Sequence, residues 1–326
     1  MEFEQLLKLM SKPEFYAHKP SKVEVVQTHI SAVFIADELV YKVKKPVNFG
    51  FVDFSTLEKR KFFCEKEVEL NRRLCPDVYL GVEPIRIDDT IVEYAVVMKR
   101  LPVDKSLKNL IRRGEVQKRH IEKVVKRIAE FHKKAYTSER ISQFGKVKNF
   151  RRNTDENFEQ TQEYVGVTID RDTYEFIKSR TDEFYRKFGV LIDERAEKGF
   201  VRECHGDLHT EHIIIDEDKV YIFDCIEFNE RFRFIDVACD FAFFLMDLDF
   251  LGRSDLSHYA QELYVLETGD EEALKLFPLF KSYRAYVRGK VNSFMFSDPN
   301  IKDKDAIKKT AFQYFKLARS YLESEF

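Results

Sequence analysis

"VRECHGDLHTEHIII" (residues 201–215) sets three histidines, two glutamates and an aspartate between aliphatic residues. Ionisable side chains lose hydration when crowded between apolar runs, so such a stretch marks a turn, a metal site or a catalytic loop. All three readings are open from the residues alone. As a metal cage, His205, Asp207, His209 and His212 form a transition-metal site for a hydrolase. As a catalytic loop, the stretch depends on a second carboxylate nearby.

The next segment, "KVYIFDCIEF" (219–228), reads as a strand and delivers one. If short strands around 213–215 and 219–223 pair through a turn at 216–218, Asp207 and Asp224 face one cleft. Hard oxygen ligands suit Mg²⁺, and a carboxylate beside a metal-bound polyphosphate orients and deprotonates an attacking hydroxyl. Taken singly, each aspartate is also an ordinary turn or cap residue. Glu227 falls near the same place, as an aid to a metal, a contact for a cationic substrate, or an exposed turn carboxylate.

The front of the chain offers the opposite wall. "VEVVQTH" (23–29), "AVFIA" (32–36) and "LVYKVKK" (39–45) are strand-like, with a hairpin break at 36–38. Period-two alternation puts Lys42 and Lys44 on one face, and Tyr41 and Val43 on the other. A lysine aimed from a strand can hold nucleotide phosphates. Glu67, in the helical stretch 54–74 with Ser55 or Thr56 as N-cap, can reach back to fix it. "GVEPIRI" and "IVEYAVVMKRL" return to strand around the turn 88–90. The first 15 residues read as a short helix with Leu6, Leu7 and Met10 on one face. Beyond about residue 101 the chain turns helical: 121–132 is periodic, 142–165 is polar and reads as a loop or lid, 170–198 is a long helix, and 233–326 is mostly helix. The expectation is an α+β, two-lobed fold with a cleft between the lobes, divided as 1–100 (β-rich) and 101–326 (helical).

Composition bounds the partners. Fifty-five Lys and Arg against 57 Asp and Glu give a net charge of −2, which points away from nucleic acid. The locally basic stretch 99–127 reads as a solvated helix face. No apolar run reaches membrane-spanning length, and "MEFEQLLKLMSK" is acidic and amphipathic rather than a signal peptide, so a cytoplasmic location is expected. Five cysteines without CxxC spacing suit reduced thiols.

"HGDLHTEHI" (205–213) followed by "YIFDCIEFNERFRFIDVACDFAF" (221–243) resembles the catalytic half of the aminoglycoside phosphotransferase-like kinases. "VYKVKKPVNFGFVDFSTLEKR", "NRRLCPDVYLGVEPI", "THISAVF" and "VVMKRLP" are similar to a bacterial subgroup, the phosphotransferase half of bifunctional aminoglycoside phosphotransferase/ATP-binding proteins. The resemblance covers nearly the whole chain. It implies a protein-kinase-like two-lobed fold that transfers the γ-phosphoryl group of ATP to a hydroxyl of a sugar, aminoglycoside or amino alcohol. By the same resemblance Asp207 is the catalytic aspartate and Asp224 the metal-binding one. Lys42 is the phosphate-binding lysine (Lys44 if the strand register differs by two), and Glu67 is its helix partner. The backbone at Val97, Met98 and Arg100 corresponds to the adenine hinge, and 28–31 to the nucleotide-covering loop, with Thr28 or Ser31 assisting backbone amides.

Two departures stand out. The family's metal-binding Asn is His212 here, a softer ligand that favours Mn²⁺ or Zn²⁺ over Mg²⁺, slows turnover, or leaves a nucleotide-binding regulatory protein with little catalysis. The 28–31 loop also lacks glycine. No GxxxxGK[ST] motif occurs, so the P-loop ATP-binding half of the bifunctional forms is a separate partner if it acts with this chain.

Overall fold

The computed structural model describes residues 2–299 and 301–323. In chain order the elements are α1 (Phe3–Met10), β1 (Val23–Gln27), β2 (Ser31–Ala36), β3 (Leu39–Lys44), α2 (Leu57–Asn71), β4 (Tyr79–Ile87), β5 (Thr90–Lys99) and α3 (Leu107–Arg112). Next come α4 (Lys118–Lys134), α5 (Glu139–Gly145), α6 (Val147–Thr161), α7 (Arg171–Glu197), β6 (Val201–Glu203), β7 (Ile213–Asp216) and β8 (Lys219–Ile222). The chain ends with α8 (Glu230–Arg233), β9 (Phe234–Asp236), α9 (Val237–Phe250), α10 (Ser254–Thr268), α11 (Ala273–Ser297) and α12 (Lys304–Glu323). The chain forms two compact units: residues 1–109 with 212–230, and 110–211 with 231–326.

The first unit is built on a five-stranded antiparallel sheet in the order β1-β2-β3-β5-β4. Its hairpin turns use residues that tolerate the left-handed region: Asp37 (φ 55°) joins β2 to β3, and Asp88 and Asp89 (φ 46° and 63°) join β4 to β5. The alternation read from the sequence holds. Val43, Phe34 and Ala95 lie on the face covered by Leu6 and Met10 of α1. Val96, the register partner of Lys42, belongs with Cys64 and Val68 of α2. Helix α2 starts after Thr56, whose hydroxyl accepts the Lys59 amide at 3.3 Å. The β7–β8 hairpin pairs Ile213 with Ile222 through Asp216 with Lys219, as anticipated. Strand β8 is shorter than the predicted 219–228, because Asp224 leaves the extended region at φ 62°.

The second unit is helical around α9, whose residues Val237–Leu248 are all buried. A helix buried on every side needs no amphipathic stripe. Its N-cap Asp236 accepts the Ala238 amide at 2.8 Å and also grips Arg195 at 2.8 and 2.9 Å, while Asp270 takes the rest of that guanidinium at 2.6 and 2.7 Å. Where α5 passes β6, a Cβ on Gly145 would fall 2.1 Å from a Val201 methyl, so only glycine allows that approach.

The predicted loop or lid at 142–165 is instead the end of α5, helix α6 and a short 3₁₀ turn. Helix α6 buries Phe150, Asn153, Thr154, Asn157, Phe158 and Thr161, a stripe with helical spacing made mostly of polar residues. Tyr185 and Tyr286 hydroxyls meet Thr154 and Thr161 at 3.1 and 2.6 Å, which supplies the hydrogen bonds that burial demands. All five cysteines are buried thiols. Among the described residues no helix is long and apolar enough to cross a membrane.

Candidate active site

In the first unit, Lys42, Glu67 and Asp224 meet. Lys42 Nζ lies 2.9 Å from Glu67 Oε1 and 2.6 Å from Asp224 Oδ1. Burial works against its charge, but Asp224, Glu67 and Glu227 outweigh it and hold the ammonium well above its ordinary range. Glu67 is fully buried; burial favours its neutral form, yet Lys42 and Lys44 keep its carboxyl below the usual range. Asp224 is the open end of the group, with its side chain 39% exposed. Its other oxygen, Oδ2, stands 3.6 Å from His212 Nε2. A half-exposed carboxylate beside an imidazole is a donor pair that fits a divalent cation, more readily Mn²⁺ than Mg²⁺.

Asp224 sits at a positive φ, where a non-glycine residue needs support. Sequence reading missed that support. The buried Tyr79 hydroxyl accepts the Asp224 amide at 3.3 Å, and Asn71 Oδ1 accepts the Cys225 amide at 2.9 Å. The Phe223 amide donates to the His212 carbonyl at 3.1 Å, joining the two ends of the hairpin.

Lys44 faces the same side of β3 but is buried at 1% exposure, bonded to Glu67 Oε2 at 2.7 Å and to the Glu227 carboxylate. Glu227 is therefore no exposed turn carboxylate. Burial, with the neighbouring Glu67 charge, outweighs the pull of Lys44 and Lys42, so its carboxyl titrates above the usual range.

The other expected nucleotide contacts are placed as follows. Thr28 closes the β1–β2 turn: its amide donates to the Ser31 carbonyl at 2.9 Å, and its Oγ1 accepts the Ser31 and Ile30 amides at 3.0 and 3.4 Å. Three amides of the expected phosphate cradle are thus engaged within the turn, a consequence of threonine where a glycine-rich loop would leave them pointing outward. Ser31 is buried. Val97 and Met98 lie inside the sheet, opposite Tyr41 and Val40 of β3. Arg100 is exposed, and its amide donates to the Glu38 carbonyl at 2.8 Å.

In the second unit, the loop after β6 carries Asp207. The amides of His205 and Gly206 donate to the Asp240 carboxylate at 3.0 and 2.8 Å. Gly206 has φ 87°, and its carbonyl accepts Arg284 Nη1 at 2.9 Å. Asp240 in turn bonds His132 Nε2 at 3.1 Å, and His132 Nδ1 meets Tyr264 Oη at 2.7 Å. Burial opposes the Asp240 charge, but His132, His205 and Arg284 hold the carboxyl down at about 2. His132, Cys204 and Asp240 have metal-ligand chemistry, yet both imidazole nitrogens are engaged and Cys204 Sγ bonds the Ile235 carbonyl at 3.4 Å. They form a hydrogen-bonded core behind the loop. Asp207 is part-exposed; its amide donates to His205 Nδ1 at 3.2 Å, and its Oδ2 lies 3.4 Å from His209 Nε2. His205 is buried and holds loop geometry, which removes it from the hydrolase-type metal set. Sequence reading named neither Asp240 nor Arg284.

A profile of the phosphotransferase enzyme family matches residues 64–277. The chain belongs to the phosphotransferase enzyme family. Uncharacterised proteins of Mycobacterium bovis and Mycobacterium tuberculosis are each 32% identical over 278 residues, 84% of this chain and 55% of theirs. The chain spans about half the length of the curated relatives it matches. Two solved structures resemble this family member. One is aminoglycoside 2′-phosphotransferase-IIIa in its GDP complex, with TM-score 0.60, 14% identity and 100% of both chains covered. The other is a choline/ethanolamine kinase family protein from Mesorhizobium loti, with TM-score 0.54, 12% identity, and 97% of this chain and 98% of that one covered. At such identities the likeness concerns the fold, which is the α+β, protein-kinase-like one expected.

Proposed function

We propose that this phosphotransferase-family chain transfers the γ-phosphoryl group of ATP to a hydroxyl of a small molecule of the sugar, aminoglycoside or amino alcohol class. The observation that carries the reading is Lys42 bracketed by Glu67 at 2.9 Å and Asp224 at 2.6 Å. Lys42 exchanges its contact with Asp224 for nucleotide phosphate, while Glu67 keeps the ammonium aimed. Asp224, with His212, holds the divalent cation. The chemistry such a cation supplies is charge neutralisation on phosphate oxygens. Asp207 orients the acceptor hydroxyl and takes its proton, and the bonds from His205 and Gly206 to Asp240 hold that loop in place during the step. Positioning and electrostatics carry most of the rate in such reactions. A cytoplasmic location and a separate P-loop ATP-binding partner belong to the same proposal.

The test is transfer of label from [γ-³²P]ATP, and in parallel from labelled GTP, to pooled sugars, amino alcohols and aminoglycosides. Metal-dependent labelling of one pool is expected, lost in Asp207→Ala while nucleotide binding persists. Equal turnover by Asp207→Ala removes the assignment. One observation favours a second reading: His212 stands 3.6 Å from Asp224 in the place of the family's Asn. In that reading the chain binds nucleotide as a regulator, and every pool stays unlabelled although ATP raises the melting temperature.

A further inference from the structure

Lys44 and Glu227 have no part in the reaction described above, yet they form a buried ion pair beside it. Lys44 Nζ touches two carboxylates, Glu67 and Glu227, and lies 4.9 Å from the Phe54 ring centroid. Both partners are buried, so Lys44 in this arrangement reaches no ligand and is not interchangeable with Lys42. Glu227 is three residues beyond Asp224, on the segment that leaves β8. That segment is fastened repeatedly. Tyr79 holds the Asp224 amide, Asn71 the Cys225 amide and Lys44 the Glu227 carboxylate. Asn229 Nδ2 bonds the Phe51 carbonyl at 3.1 Å, and Phe228 packs on Phe51 with ring centroids 6.3 Å apart. The left-handed backbone of Asp224 survives only where its surroundings impose it. Tyr79 and Asn71 act at the bend itself. The Lys44–Glu227 pair fixes the exit from the bend and ties it to the strand that carries Lys42.

We propose that the buried Lys44–Glu227 pair is a positioning device that aims the Asp224 carboxylate and so sets the site's affinity for a divalent cation. The inference rests on Asp224 being the cation-holding carboxylate of the proposed phosphotransferase. A merely structural pair predicts something different. Replacing a buried ion pair by apolar residues of similar volume often leaves stability intact, whereas removing one partner strands a buried charge. A purely structural pair is therefore replaceable without cost to the site, and a positioning pair is not.

The experiment uses Lys44→Met/Glu227→Leu in the full chain. Melting temperature is read by calorimetry, and affinity for Mn²⁺ is read by electron paramagnetic resonance of the free ion, with and without ADP. The expected result is a melting temperature close to wild type with the Mn²⁺ dissociation constant raised about tenfold, the scale of one misplaced ligand contact. Wild-type Mn²⁺ affinity in the folded double variant overturns the proposal. Should that variant not fold, Glu227→Asp keeps the charge and shortens its reach by one methylene. It is expected to weaken Mn²⁺ binding several-fold, and unchanged binding again overturns the idea. Absence of Mn²⁺ binding by the wild-type protein, with or without ADP, overturns it as well. Because binding is read without transfer, wild-type protein that binds Mn²⁺ but labels no acceptor defeats the functional reading alone.

Discussion

Asp207 and Asp224 are 17 residues apart in sequence, and the two loops that carry them are held by different bonds. Around Asp207 the backbone is fixed: one buried carboxylate, Asp240, accepts two successive amides, and Arg284 donates to the Gly206 carbonyl that follows them. Around Asp224 the side chain is itself part of an ion cluster, exposed on one side and bonded to Lys42 on the other. The first arrangement suits a group that must stay still while a proton moves. The second suits a group that trades partners, since Lys42 and Asp224 satisfy each other here and, in the proposed reaction, phosphate and cation would replace them. Charge neutralised beforehand keeps the buried Lys44 and the part-buried Lys42 tolerable, because an unpaired buried charge is far more costly than a paired one.

This contrast is open to breakage in order of expected effect. Lys42→Ala removes the exchanging cation, so kcat/KM for ATP is expected to fall about 10- to 100-fold, the cost of one charge-assisted hydrogen bond. Steady-state kinetics check this, and an unchanged KM for ATP with unchanged kcat shows that Lys42 does not meet the nucleotide. The Asp207 side is expected to respond to acid through Asp240. Its carboxyl lies at about 2 when folded against an ordinary 3.8, so its stabilisation is present above pH 4 and is lost as pH falls toward 2. The amount is about 2 kcal/mol. Urea midpoints measured between pH 5 and 2 report it, and a flat profile across that window contradicts the assignment. The smallest effect belongs to His212→Asn, which is expected to raise turnover with Mg²⁺ a few-fold relative to Mn²⁺. Unchanged or lower activity across both metals rejects a metal-tuning role for His212.

The two regions were also unequally legible in sequence. Strand alternation placed Lys42 and Lys44 on one face, because it rests on local periodicity, whereas the pairing with Glu67 rested on the family resemblance. The β7–β8 hairpin that delivers Asp224 was legible from local pattern as well. Asp240 was not, since it acts on backbone amides 34 and 35 residues away and no side-chain pattern records that. Tyr79 and Asn71 were hidden likewise, each meeting an amide about 150 residues distant. Helix α6 escaped because its buried stripe carries Asn and Thr, so a search for apolar repetition passed over it. Glu227 was seen but left between a metal aid, a substrate contact and an exposed turn. Only the burial of its partner Lys44 decides among these.

The most direct measurement of the central claim is calorimetric titration of ADP into wild-type protein and Asp224→Ala, each with and without Mn²⁺. The account predicts that Mn²⁺ tightens ADP binding to the wild type by about tenfold or more and does little for the variant, whose metal-free affinity stays near wild type. Equal tightening by Mn²⁺ in both proteins contradicts it.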